Sequence, residues 1–240
     1  MVLTQEYVDV PVGKRAMRTF VAGPASSGTY PGVVFYTDIF QLTESSLRWA
    51  VRLAGYGFVV AVPEIYHRIE PAGTVLGFED EGKTRGQADA EATPTADFDA
   101  DVSAALDWLD ERCSNVGAAG HCTGGHIAFR AAFDARVRAT VCWYPTGLHD
   151  GKLGSDKTDS LERAGDISGD ILLIFGTKDP HTPQPGRETI RRGLETAGSR
   201  FIWSEYEAEH AFGRDIGPRY DPEATDRAFG ETTTFLRRLL

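Results

Sequence analysis

The sequence predicts an α/β fold in which a mainly parallel central sheet is flanked by helices. Short β-branched runs alternate with helical patterns from end to end, as expected of strands joined by crossover helices. Hydrophobic residues, 41 % of 240, are spread evenly enough to serve one core, so residues 1–240 are expected to form one domain. In the middle of the chain a glycine-rich turn, Gly120-His121-Cys122-Thr123-Gly124-Gly125, stands between a predicted strand and a predicted helix.

Taken in order, the predicted strands are Gly32–Tyr36, Phe58–Val62, Asn115–Gly120, Val137–Trp143, Ile171–Phe175 and Arg200–Tyr206. Asn115–Gly120 is rich in Gly and Ala, which are poor strand formers, so tertiary packing must hold it extended. A helix is predicted over Thr43–Ala54, with Thr43 as N-cap and Gly55 as stop signal. A second covers Asp97–Glu111, where Phe98, Val102, Ala105, Leu106 and Leu109 share one face. A third runs over Gly186–Ala197 and ends at Gly198. The last opens with Asp221 as cap and Pro222 at the first helical position. Two connections, Pro63–Thr95 and Pro145–Asp170, are longer than ordinary links. Both follow strands, so they either overhang the carboxyl edge of the sheet, where such folds bind ligands, or are surface insertions.

Composition narrows the function. A net charge of −10 without clustered Lys/Arg argues against a nucleic-acid surface, yet leaves room for a small anionic substrate held by local arginines. No apolar run approaches the ~18 residues of a membrane span. The segment MVLTQEYVDV lacks a basic stretch followed by an apolar one, and Cys113, Cys122 and Cys142 do not form a disulfide framework. A reducing cytoplasm is the simplest expectation. No phosphate-binding loop is present, so no cofactor is expected. The spacing of His121, Cys122 and His126 matches no zinc pattern, and no metal is expected either.

The chemistry centres on Gly120-x-Cys122-x-Gly124-Gly125. This spacing is that of a nucleophile elbow, a strand-turn-helix motif whose central residue takes a strained backbone between small neighbours. The helix that follows points its N-terminal N–H groups at the sulfur, which favours thiolate and later an oxyanion. Asp179, in Lys178-Asp179-Pro180, follows a strand and suits an orienting acid, although it is also a good turn former. His210 follows the last strand. Nucleophile, acid and histidine thus occur in the chain order Cys122, Asp179, His210, which is that of the α/β-hydrolase fold. Cys113 and Cys142 read as inert buried residues. His126 is expected to pack or cap, His121 to flank the pocket, and His181 to touch substrate or lie in solvent. His67 and His149 have no assigned role.

Together with Asp38-Ile39-Phe40, His210-Ala211-Phe212-Gly213-Arg214 and the helix introduced by Tyr220-Asp221-Pro222, these motifs resemble the dienelactone hydrolase family over nearly the whole chain. The resemblance implies a Cys-His-Asp triad that opens a cyclic enol-lactone bearing a carboxylate, and it implies a monomer. Asp38 matches an acidic residue, typically glutamate in the family, thought to help generate the thiolate. Aspartate is one methylene shorter, and it could equally cap the next helix. Arg214 matches an arginine that holds the substrate carboxylate. A second family arginine should come from Pro63–Thr95, where Arg85 is the nearest candidate, or else a solvated side chain. The tyrosine the family places a few residues later has no match.

The expected reaction is attack by the Cys122 thiolate on the ester carbonyl, with His210 aimed by Asp179. The backbone N–H groups of Thr123 and Ile39 would face the oxyanion. A thiolate is expelled more easily than a simple alkoxide, so esters with stabilised leaving groups are favoured, and an enol-lactone is one. The partner is thus a small lactone or activated ester. The alternatives are an esterase or thioesterase using the same triad on acyclic substrates, and a redox-sensing thiol, for which no resolving cysteine lies nearby in sequence.

Overall fold

A computed structural model describes residues 1–240 and contains an eight-stranded sheet. Its strands are β1 (Leu3–Val12), β2 (Arg15–Pro24), β3 (Gly32–Tyr36), β4 (Val59–Pro63), β5 (Val116–His121), β6 (Val137–Trp143), β9 (Asp170–Gly176) and β10 (Phe201–Tyr206). A separate two-stranded ribbon is made by β7 (Lys152–Leu153) and β8 (Asp156–Lys157). Across the main sheet the order is β1-β2-β4-β3-β5-β6-β9-β10. Every pairing from β4 to β10 is parallel, and only β1 and β2 run against their neighbours. The α/β fold and all six predicted strands are present, with ends shifted by a residue or so.

The helices are α1 (Glu44–Ala54), α2 (Asp80–Ala92), α3 (Thr95–Asp110), α4 (Thr123–Ala131), α5 (Gln184–Ala197) and α6 (Pro222–Leu239). Strand alternation divides the core. Phe35, Val60 and Trp143 face α1 and α6 through Trp49, Phe229 and Phe235. Val34, Tyr36 and Ala118 face the other way, onto Phe98, Leu106 and Ile127 of α3 and α4. The caps act as expected: the Thr43 side chain accepts from Ser46 N–H, Asp221 accepts from Ala224 N–H, and Gly198 closes α5 at φ +70°.

Two features differ from the sequence reading. The hairpin β1–β2 was not among the predicted strands, yet Val8, Val10 and Val12 alternate on one face and Gly13, at φ +58°, opens its two-residue turn. The connection Pro63–Thr95 contains a helix, α2, in its second half. This helix has no apolar stripe, because the buried face is made of Gly82, Gly86 and Asp89, spaced four and three residues apart. At Gly86 a side chain would press on the carbonyl of Ile39, so the glycine lets α2 settle over the loop after β3. The second connection is anchored too: Thr95 donates from its N–H to Asp156 and from its hydroxyl to the Leu153 carbonyl. No helix is long and apolar enough to cross a membrane.

Candidate active site

β5 delivers the central residue. Cys122 lies one residue past the strand at φ +58° and ψ −123°, a conformation L-residues adopt only when the surroundings impose it. The surroundings are backbone. A methyl on Gly120 would be driven into the Gly124 carbonyl, and one on Gly124 into the carbonyls of Tyr36 and Thr37. These contacts explain why residues with low strand propensity build the central strand: β5 and α4 approach each other and β3 too closely for side chains. Gly124→Ala is therefore expected to cost about 3 kcal/mol or more, the upper range for overpacking. That is roughly 6 °C or more in Tm for a chain of this size, readable by thermal unfolding, with activity lost in parallel.

The loops after β9 and β10 bring the partners. Nδ1 of His210 lies 2.7 Å from Asp179 Oδ2, and its Nε2 lies 3.2 Å from Cys122 Sγ. All three side chains are buried. Asp179 is held in turn by the backbone N–H of His181, 2.7 Å from Oδ1. Burial alone would push the Cys122 thiol up, but the positive charge and hydrogen bond of His210 outweigh it and hold the thiol below its ordinary value. Burial alone would likewise lower His210, yet the Cys122 charge and the Asp179 hydrogen bond push it up to about 9. Asp179 stays below the usual carboxylate range, because His210 overcomes its burial. The shifts at Cys122 and His210 both run toward a thiolate–imidazolium pair, with the Asp179 carboxylate behind it.

The N–H groups of Thr123, first residue of α4, and of Ile39 both lack an acceptor within the protein. Both residues line the same cavity of about 440 Å³ as Cys122 and His210. Arg214 is brought there as well, its guanidinium 4.7 Å from the Phe40 ring centre and 4.6 Å from that of Phe78. It donates from Nε and Nη2 to Asp38 Oδ2, at 3.1 and 2.6 Å, and Asp38 Oδ1 accepts from the Phe40 N–H. Both Asp38 oxygens are therefore engaged away from the sulfur, and its negative charge opposes the thiolate.

Arg85 is not brought to the cavity. It points off α2 to pair with Glu70, with Nε 2.6 Å from Oε1. Helical geometry accounts for this, since residues 83 and 85 lie about 200° apart around α2. Lys83, which the sequence reading left unassigned, takes the cavity-facing position instead. His121 does not line the pocket. It is buried among Phe35, Trp49, Trp143 and Tyr144, and burial lowers its pKa to about 3. His126 packs as expected, between the Thr146 carbonyl and the Ser160 hydroxyl. Thr146, whose hydroxyl lies 4.0 Å from Cys122 Sγ, carried no sequence signal.

The profile described as "Dienelactone hydrolase family" matches residues 17–240. A Saccharomyces cerevisiae protein provisionally named carboxymethylenebutenolidase is 34 % identical over 96 % of this chain and 90 % of its own length. An Escherichia coli protein of the same provisional name is 29 % identical over 89 % of this chain and 79 % of its own. Among solved structures, a Klebsiella pneumoniae protein provisionally titled a dienelactone hydrolase superposes with a TM-score of 0.87 at 23 % identity, over 99 % of this chain and all of that one. A dienelactone hydrolase-like promiscuous phosphotriesterase from metagenomic libraries gives 0.80 at 22 % identity, over all of this chain and 99 % of the other. On the breadth of the profile match and the identity to the yeast protein, the chain belongs to the dienelactone hydrolase family and is a hydrolase of that type.

Proposed function

We propose that the chain cleaves a small lactone or activated carboxylic ester through a thioester on Cys122. The observation that carries this reading is the single imidazole bridging Cys122 Sγ and Asp179. The thiolate attacks the carbonyl carbon, and the oxyanion is held by the Thr123 and Ile39 N–H groups, which no protein acceptor engages. His210 then gives its proton to the departing oxygen, and water hydrolyses the thioester. A thiolate attacks well but is also readily expelled, so turnover favours a leaving oxygen stabilised as an enolate or phenolate over a simple alkoxide.

In this reading the thiolate is formed by His210, and Asp38 serves to hold Arg214 in place. Arg214 keeps Nη1 free to meet an anionic group on the substrate, a geometry suited to a carboxylate. Lys83, rather than Arg85, is the second cation for that group. It lines the cavity and takes part in no ion pair.

The test is a panel of a carboxylate-bearing enol-lactone, its neutral methyl ester and an aryl acetate. The native protein should favour the carboxylate lactone. Lys83→Ala should raise KM for that substrate about tenfold, as befits a charge-assisted contact, and leave the neutral ester unchanged. Aryl acetate turnover exceeding lactone turnover by orders of magnitude would move the assignment to acyclic esters.

A further inference from the structure

We infer that His181 is a second functional imidazole of the site, which positions the water that hydrolyses the acyl-cysteine. The inference rests on the thioester reading above. Of the six histidines only His181 and His210 line the cavity. The others lie away from it: His67 pairs with Asp101, and His126 sits between Thr146 and Ser160.

Placement of His181 is tied to the reacting groups. Asp179 accepts the His210 ring through Oδ2 and the His181 backbone N–H through Oδ1. One carboxylate therefore fixes both the base and the segment carrying the second imidazole, and Pro180 between them restricts the intervening backbone. The two ring centres lie 4.5 Å apart at 62°, an edge-to-face arrangement. No protein group hydrogen-bonds to the His181 ring nitrogens, although the ring borders the cavity that holds Cys122. His181 is exposed on its outer side, and partial desolvation, then the charge of His210, keeps its ring below its ordinary pKa against the opposing charge of Asp179, with Arg219 and Lys83 adding to the effect. In its neutral form the ring offers one donor nitrogen and one acceptor nitrogen.

The second half of the reaction needs such a group. After His210 has given its proton to the leaving oxygen it is neutral, and its Nε2 can take one proton from water. Water has a second proton that must also find an acceptor, or the molecule rotates freely. The unprotonated nitrogen of His181 supplies it. The water oxygen then bonds to the thioester carbon, the carbon–sulfur bond breaks, and the proton passes to His210. The products are a carboxylic acid and the restored thiolate–imidazolium pair. Acylation needs no water, so His181 bears on deacylation alone.

The experiment uses p-nitrophenyl acetate, rapid quenching and mass spectrometry of the acylated peptide, on the native protein, His181→Phe and His181→Gln. In His181→Phe the burst of p-nitrophenolate should keep its rate, while decay of acetyl-Cys122 slows about 10- to 100-fold, within the range for loss of an aiding group in proton transfer. The steady-state kcat and KM should fall together. His181→Gln, whose amide oxygen accepts a hydrogen bond, should recover much of the decay rate. A burst rate that falls as far as the decay rate, or decay at the native rate in His181→Phe, would overturn the role of His181 while leaving the nucleophile intact. Absence of acetyl-Cys122 in all three proteins, with turnover continuing, would overturn both readings.

Discussion

Cys122→Ala is expected to lower kcat by at least about 10⁴-fold, since removing the nucleophile of a concerted triad forfeits nearly all its advantage. Its fold should persist, because alanine fits the space that cysteine fills and the strained turn is set by neighbouring backbone. Cys122→Ser is the more informative variant. After burial, the largest influence on the His210 pKa is the negative charge at Cys122. A serine hydroxyl is not ionised at neutral pH, so the largest upward influence on His210 is lost, its pKa should fall, and only Asp179 remains to oppose burial. The serine variant would need general-base activation of its hydroxyl. Its activity should be small, about 1 % of native or less, and should rise with pH through the range in which imidazole deprotonates. In kcat/KM, which reports the free enzyme, the native protein should show this limb displaced to lower pH, because His210 lowers the pKa of its attacking thiol. Values of kcat/KM between pH 5 and 9 on the two proteins decide the matter. Native-like activity in Cys122→Ala would remove the sulfur from the chemistry.

The proposed catalytic group was legible in the sequence because each member sits where a strand ends. A strand followed by a glycine-flanked or proline-flanked turn can be read locally, and parallel order then puts all the carboxyl ends on one side. Asp38 and Arg214 were legible only through the family resemblance, and they lie in the loops after β3 and β10. What could not be read was direction. Arg85 and Lys83 lie on one helix, two residues apart, and only the helix phase decides which of them meets the cavity. That phase was hidden because α2 buries Gly82, Gly86 and Asp89 rather than an apolar stripe, so periodicity had nothing to register. His121 failed differently. Adjacency to Cys122 suggested a pocket residue, but it is the last residue of β5, and alternation turns its side chain into the aromatic core. The hairpin β1–β2 was overlooked although Gly13 and the alternating valines signalled it.

The second large effect concerns the charge state of the sulfur and is read without any substrate. Iodoacetamide captures thiolate and not thiol, so its rate against pH reports ionisation directly. In the native protein the pH at which Cys122 alkylation reaches half its maximal rate should lie below the ordinary thiol range, because His210 lowers the thiol's pKa. His210→Gln should reverse this. With the imidazolium gone, burial and the Asp38 charge both press the thiol upward, and only Arg214 opposes them. The sign is therefore fixed: the pKa rises past the ordinary cysteine value. At pH 7 the alkylation rate should fall by about 100-fold or more, then climb tenfold per pH unit toward pH 10. Asp179→Asn should lie between the two, since it removes a hydrogen bond and a charge that raise His210 while leaving the ring beside the sulfur. Cys142, fully buried with its pKa raised by burial, should stay unmodified, so the signal comes from the elbow. Peptide mapping checks that assignment and corrects for the half-buried Cys113. A native profile that follows one thiol titrating near its ordinary value would mean that the 3.2 Å approach of His210 to sulfur is a contact between neutral groups. The attacking species would then have to be made only when substrate arrives.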